Sequence, residues 1–261
     1  MSSTPSSTGI FTLAERERIW ADLVAAAEAD PEIVGAAAVG SSASGRDRWS
    51  DLDLSLAVAE GVSVAEVMQR WTIRLEEDEQ AIFLFDLAAG ETLYRVFLFP
   101  GALQVDISFS PVHAFGSRGP KFQAIFGDPV RLPEPQPPDT GFLVGFGVHH
   151  CIRAHVCLER GKLWQAMHWI NELRELAMTL ACRRLGLDGE YGRGFDQLPQ
   201  TVLAGFATSV PRAIDEAGLR KALRAAGWSL LEEASRAGAM HPRIAAGLKP
   251  ILSTGTPSGV S

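Results

Sequence analysis

Three aspartates and one Gly-Ser pair stand where this chain could do chemistry. Gly40-Ser41 ends an apolar run, nine residues follow, and Asp51-Leu52-Asp53 opens the next run. Asp51 and Asp53 are two apart, so an extended backbone sends both side chains out from one face. Two converging carboxylates make a hard-oxygen site suited to Mg²⁺. Glycine lets a backbone approach a ligand closely, and turn N–H groups with a Ser hydroxyl can hold phosphate oxygens. Asp106 is the only charged residue in Leu103-Gln104-Val105-Asp106-Ile107-Ser108-Phe109, where burial without a partner is costly. A metal shared with Asp51 and Asp53 would supply the partner. Three acidic groups on two strands would let two ions bind, and Asp106 could take the proton of an acceptor hydroxyl. Phosphoryl transfer needs such a pairing of metal ligands and phosphate donors.

The elements that must position these residues are legible from periodicity. Thr12-Leu13-Ala14-Glu15 has capping-box spacing and opens a helix that stops near Asp30-Pro31. Ile33 to Val39 reads as a buried strand and Leu52 to Val58 as a second. Ser63 caps a helix running to about Glu77. Strand-like runs follow at Ala81 to Leu87, Leu93 to Phe99 and Leu103 to Phe109, with turns at Ala88-Ala89-Gly90-Glu91 and Pro100-Gly101. Five prolines between Pro129 and Pro138 end this half. Beyond them the pattern predicts helices over Phe142 to Arg160, Leu163 to Leu185, Gln200 to Phe206, Pro211 to Ala226, Trp228 to Ala237 and Pro242 to Ile251. Gly161 and Gly186 serve as left-handed caps. The expected organisation is α+β. A mixed β-sheet domain with flanking helices covers 11–132 and an all-α helical bundle covers 139–252. A disordered 1–10 and a loose tail at 253–261 flank them.

Gly-Ser, nine residues, Asp-x-Asp and a later strand Asp together resemble the nucleotidyltransferase superfamily that includes DNA polymerase beta. An N-terminal catalytic domain joined to a helical one is similar to the antibiotic nucleotidyltransferases that act on aminoglycosides and lincosamides. The motif match covers about residues 33–109. The resemblance implies a nucleotidyltransferase-type sheet, with Gly40 and Ser41 holding a nucleoside triphosphate and Asp51 and Asp53 ligating Mg²⁺. It implies Asp106 as third ligand or general base, although some relatives take the base from the helical domain.

Charge and composition bound the reading. Residues 1–132 carry 10 Lys+Arg against 19 Asp+Glu, and residues 133–261 carry 14 against 12, so the second half is the natural source of cations for a triphosphate. Lys162, at a helix junction, and Arg193, between Gly192 and Gly194, are candidates; a solvated surface charge and an ordinary interhelical loop are their plainer readings. Arg46 and Arg48 are similar candidates. His168, Asn171, Glu172 and Glu175 share a helix face. Glu172 or Glu175 there would attract an acceptor amine or act as the base, unless the stripe is simply the solvent side of the helix. Trp164 and Trp169 read as core packing, with stacking on a base or sugar as the alternative. His149, His150 and His155 lack zinc spacing, and Cys151, Cys157 and Cys182 read as buried thiols. The net charge of −7 argues against binding long nucleic acid, no apolar run reaches a membrane span, and the N-terminus lacks a secretory signal. The expectation is a cytoplasmic Mg²⁺-dependent enzyme that moves AMP from ATP onto a small hydroxyl-bearing acceptor in a cleft between the domains. Transfer to a protein or tRNA, and a nucleotide-binding module without catalysis, are the alternatives.

Overall fold

A computed structural model describes residues 9–43, 48–119, 121–134 and 136–253. The chain forms two compact units, 1–136 and 137–261.

In the first unit, α1 (Leu13–Ala29) starts where Thr12 and Glu15 cap each other reciprocally. Then come β1 (Ile33–Val39), β2 (Leu52–Val58) and α2 (Val64–Glu79), which Ser63 caps by accepting from the Glu66 N–H. Strands β3 (Ile82–Ala89), β4 (Thr92–Phe99) and β5 (Leu103–Pro111) complete a meander. Ala88 and Ala89 belong to β3, so the turn before β4 is shorter than the composition suggests. Three short strands follow: β6 (Gly116–Ser117), β7 (Phe122–Phe126) and β8 (Val130–Arg131). The sheet order is β3-β4-β5-β2-β1-β7, with β6 and β8 paired separately. β7, which periodicity did not reveal, joins the edge of β1.

The two faces of this sheet differ, and the alternation in β2 and β5 decides it. Leu52, Leu54, Leu56 and Val58 share a core with Leu103, Val105, Ile107 and Phe109. Ile19 and Leu23 of α1 and Val67, Met68, Trp71 and Leu75 of α2 seal that core. At about 25 cal/mol per Å², burial of these side chains supplies the main stabilisation of the unit. The intervening residues, Asp53, Ser55, Gln104, Asp106 and Ser108, therefore point to the other face. β3 is the outer strand, with Ile82, Phe83, Leu84, Phe85 and Leu87 between 40% and 59% exposed.

The second unit is helical: α3 (Thr140–Glu159), α4 (Leu163–Arg184), α5 (Gln200–Ala207), α6 (Glu216–Arg236) and α7 (Pro242–Ser253). Gly161 and Gly186 adopt φ of +66° and +70°, which suits their places after α3 and α4. The two helices expected over 211–237 are one. Asp215 caps the chain at Gly218 N–H (2.7 Å), so α6 begins at Glu216 and continues through Gly227. There a Cβ would come within 2.4 Å of Leu252 Cδ2; the glycine admits α7 rather than ending α6. By length and composition α3 could cross a membrane. In the fold its Leu143, Val144, Cys151 and Ala154 are buried in the helical core with Ile170, Leu173 and Leu230.

Candidate functional site

β2 and β5 run parallel, while every other neighbouring pair in the six-stranded sheet is antiparallel. Their register sets Asp53 beside Asp106. Asp51, two residues before Asp53, joins them: one carboxylate oxygen from each of the three lies within 4.8 Å of the others. All three are half-buried. Among the described residues this is the cluster of His, Cys, Asp and Glu with metal-binding geometry. Three carboxylates with no sulfur or imidazole form an all-oxygen donor set that could hold a metal ion. Asp106 lies on an interior strand, so its charge does not serve to guard a sheet edge.

Local structure explains how the trio is held. Gly40 opens a 3₁₀ turn, Gly40–Ala43, at φ +58°. A Cβ at Gly40 would stand 2.8 Å from Asp53 Oδ2, so both the backbone angle and the space require glycine. In the same turn the buried Ser42 hydroxyl accepts from the Asp53 N–H (3.0 Å) and donates to the Asp51 carbonyl (3.4 Å). Arg16, fully buried on α1, donates Nε to the Ser50 carbonyl (2.7 Å) and Nη2 to the Asp51 carbonyl (3.1 Å). Neither Ser42 nor Arg16 was singled out by motif spacing. The signal available for Arg16 was an arginine three residues before Ile19 on the helix face that α1 buries. Ser41 has its backbone in the turn, and its side chain lies outside the described residues, as does Arg46.

Burial pushes the Asp106 carboxyl above the usual carboxylate range. The Gln104 amide opposes this by donating to both Asp106 oxygens (3.0 and 3.2 Å), and the nearby Asp51 charge adds to the rise. A divalent ion would remove the cause of strain among three clustered negative charges.

Arg48, in the first unit, is exposed and stacks its guanidinium 4.5 Å above the Trp49 ring, and the other candidates lie in the helical unit. Lys162 is exposed at the N-cap of α4. Arg193 makes ion pairs with Asp188 (3.4 Å) and Glu190 (3.7 Å) and stands 5.0 Å above the Tyr191 ring. On α4, Glu172 is half-buried and Glu175 exposed, while Asn171 accepts from Arg174 (2.8 Å). Trp164 is 76% exposed, contrary to the expectation of core packing, because it falls on the first turn of α4 outside the helical core. Trp169 packs against His149, His150 and His168. His150 is buried there, and burial followed by the His149 charge lowers its pKa. The three cysteines are free and buried, with burial pushing the Cys151 thiol up to about 12.

No protein-family model matches the chain, and no curated protein matches it. Among solved structures, the chain is similar to an aminoglycoside 6-adenyltransferase from Bacillus subtilis, with 14% identity and a TM-score of 0.38 over 92% of this chain and 96% of that one.

Proposed function

We propose that this chain is a Mg²⁺-dependent nucleotidyltransferase that moves AMP from ATP onto a hydroxyl of a small, antibiotic-like acceptor such as an aminoglycoside or lincosamide. The observation that carries this reading is the meeting of Asp51, Asp53 and Asp106 beside the Gly40 turn. The three carboxylates would hold Mg²⁺, in two ions. When bound, the metal offsets the charge of the phosphates and of the pyrophosphate that leaves. The turn at Gly40 and Ser41 donates to phosphate oxygens. The acceptor oxygen attacks the α-phosphorus, the bond from that phosphorus to the β-phosphate oxygen breaks, and Asp106 takes the acceptor's proton. Lys162 and Arg193 are assigned to the phosphates, and Glu172 and Glu175 to acceptor amines. ATP and an acceptor that has entered the cell place the reaction in the cytoplasm.

Mass spectrometry after incubation with ATP, Mg²⁺ and a panel of aminoglycosides and lincosamides tests the reading. One panel member should gain the mass of AMP, and Asp51→Asn or Asp53→Asn should abolish the gain with the fold intact. AMP appearing on protein or tRNA instead would change the acceptor class. Metal-dependent ATP binding without any product would leave a binding module.

A further inference from the structure

Strand β3 ends the six-stranded sheet, and among the described residues no strand pairs with its outer edge. Every residue of Ile82–Ala89 is exposed, including the five large apolar ones. At the opposite end of the sheet β7 is shorter, and its Phe122, Ile125 and Phe126 are half-buried. Sheet edges are ordinarily blunted by lysine, proline, a free charge or a bulge. β3 contains no lysine and no proline. Its one charged residue, Asp86, accepts from Arg95 Nε and Nη2 at 2.7 and 2.6 Å. Its pairing with β4 shifts between Phe83 and Phe85 but is regular from Phe85 to Ala89. That regular stretch is an apolar edge whose only charge is already neutralised.

Backbone geometry gives the stretch a register of its own. The two-residue turn Gly90-Glu91 makes Ala89 and Thr92 the last hydrogen-bonded pair between β3 and β4. Bonding alternates along a strand, so Leu87 and Phe85 also bond toward β4. The N–H and C=O groups of Asp86 and Ala88 therefore face outward. An identical strand running antiparallel satisfies them when Asp86 of each copy lies opposite Ala88 of the other. That register puts Leu87 on the two-fold axis, against its own counterpart in a close, non-hydrogen-bonded pair. A register centred on Asp86 would instead set two carboxylates directly opposite each other, which is unfavourable.

We infer that β3 is a self-association edge, through which two copies of this chain pair over Phe85–Ala89 into one continuous sheet. Five side chains left half in water present on the order of 500 Å² per copy, so a pair covers about 1,000 Å². That is the lower bound for a specific interface and gives a dimer that dissociates on dilution. The excess of acidic residues in this unit opposes association, and salt screens it. The two-fold axis runs perpendicular to the sheet, so both carboxylate clusters open on the same side. With neighbouring strands ~4.8 Å apart, the clusters stand about 30 Å from each other. The inference does not depend on nucleotidyl transfer.

Sedimentation equilibrium of the full chain tests it. Between about 1 and 100 µM the protein should show a monomer–dimer equilibrium that tightens as NaCl rises from about 0.05 to 0.5 M. Leu87→Lys sets two like charges on the axis and should leave only monomer. Ala88→Pro removes an outward N–H without touching the β4 ladder and should weaken dimerisation by about tenfold or more. Thermal melts check that both variants keep the fold. Under mild air oxidation Leu87→Cys should give a disulfide-linked dimer, while Ile82→Cys, similarly exposed but off the axis, should not. The three native cysteines are buried. A wild type that stays monomeric over the whole range would overturn the inference. So would a dimer that survives Leu87→Lys, links equally through Ile82→Cys, or weakens with salt.

Discussion

Gly40→Ala perturbs the site at its most constrained point. An L-residue at φ +58° costs about 1–2 kcal/mol relative to glycine. For a chain of this size that lowers Tm by about 3 °C per kcal/mol. The new Cβ would also stand 2.8 Å from Asp53 Oδ2, where ordinary contact begins near 3.4 Å, so the carboxylate must retreat by about 0.6 Å. Site geometry is useful only within about 0.5 Å, and displacing a metal ligand's support typically costs about 10–100-fold in affinity. Gly61→Ala is the matched control: its φ is +79°, but no atom lies within 4 Å of its Cβ. Thermal melts should show both variants destabilised to a similar degree. Mn²⁺ titration should show weakened binding in Gly40→Ala alone. Equal Mn²⁺ affinity in Gly40→Ala and wild type would refute the claim that Gly40 sets the position of Asp53. Equal loss in both variants would attribute the effect to backbone strain.

Arg16→Met keeps the aliphatic bulk but removes both donors to the Ser50 and Asp51 carbonyls, so it should cost about 2–4 kcal/mol in urea unfolding and weaken Mn²⁺ binding. Burial favours the neutral form of Asp30, but Arg70, the Glu32 N–H and the Trp71 indole N–H outweigh it and hold the carboxyl below its ordinary range. Its stabilising contribution is therefore complete above the unfolded-state value near ~3.9 and is lost as pH falls through the lower folded value. The urea midpoint of Asp30→Asn should lack that part of the acid slope. Cys151, with its thiol pushed up to about 12, should resist iodoacetamide in the native protein at mildly alkaline pH and react once unfolded, as read by intact mass.

The parts of this fold that could be read from sequence are those with a strong local cause. The capping residues Thr12 and Ser63 fix helix starts by local hydrogen bonds, and β1 and β2 have the bounds their apolar runs suggest. β7 escaped because Phe122–Phe126 is a short strand whose place depends on pairing with a distant β1. The break expected near Gly227 failed for a similar reason: the contact that makes glycine useful there comes from Leu252, remote in sequence. In the site, residue types and spacing pointed to Asp51, Asp53 and Asp106. Ser42 and Arg16 act through backbone atoms, and nothing in a motif marks that Ser42 is buried or which arginine of α1 is.

The topology explains why three carboxylates can meet at all. Antiparallel neighbours joined by a tight turn bring together residues near one another in sequence, as in β3 and β4. Asp53 and Asp106 are far apart in the chain, and they become neighbours because β5 returns beside β2 in parallel. The intervening α2, β3 and β4 accomplish that return. The alternation that turns Leu54 and Ile107 toward α1 and α2 turns the two aspartates to the opposite face. A one-residue slip of β5 against β2 would set Asp53 beside Val105 or Ile107 and turn Asp106 into the leucine-rich core, where an unpaired charge is untenable. The hydrophobic core thus enforces the register of the site. A core substitution such as Ile107→Ala, on the sheet face opposite the carboxylates, should loosen metal binding only to the extent that it loosens this pairing.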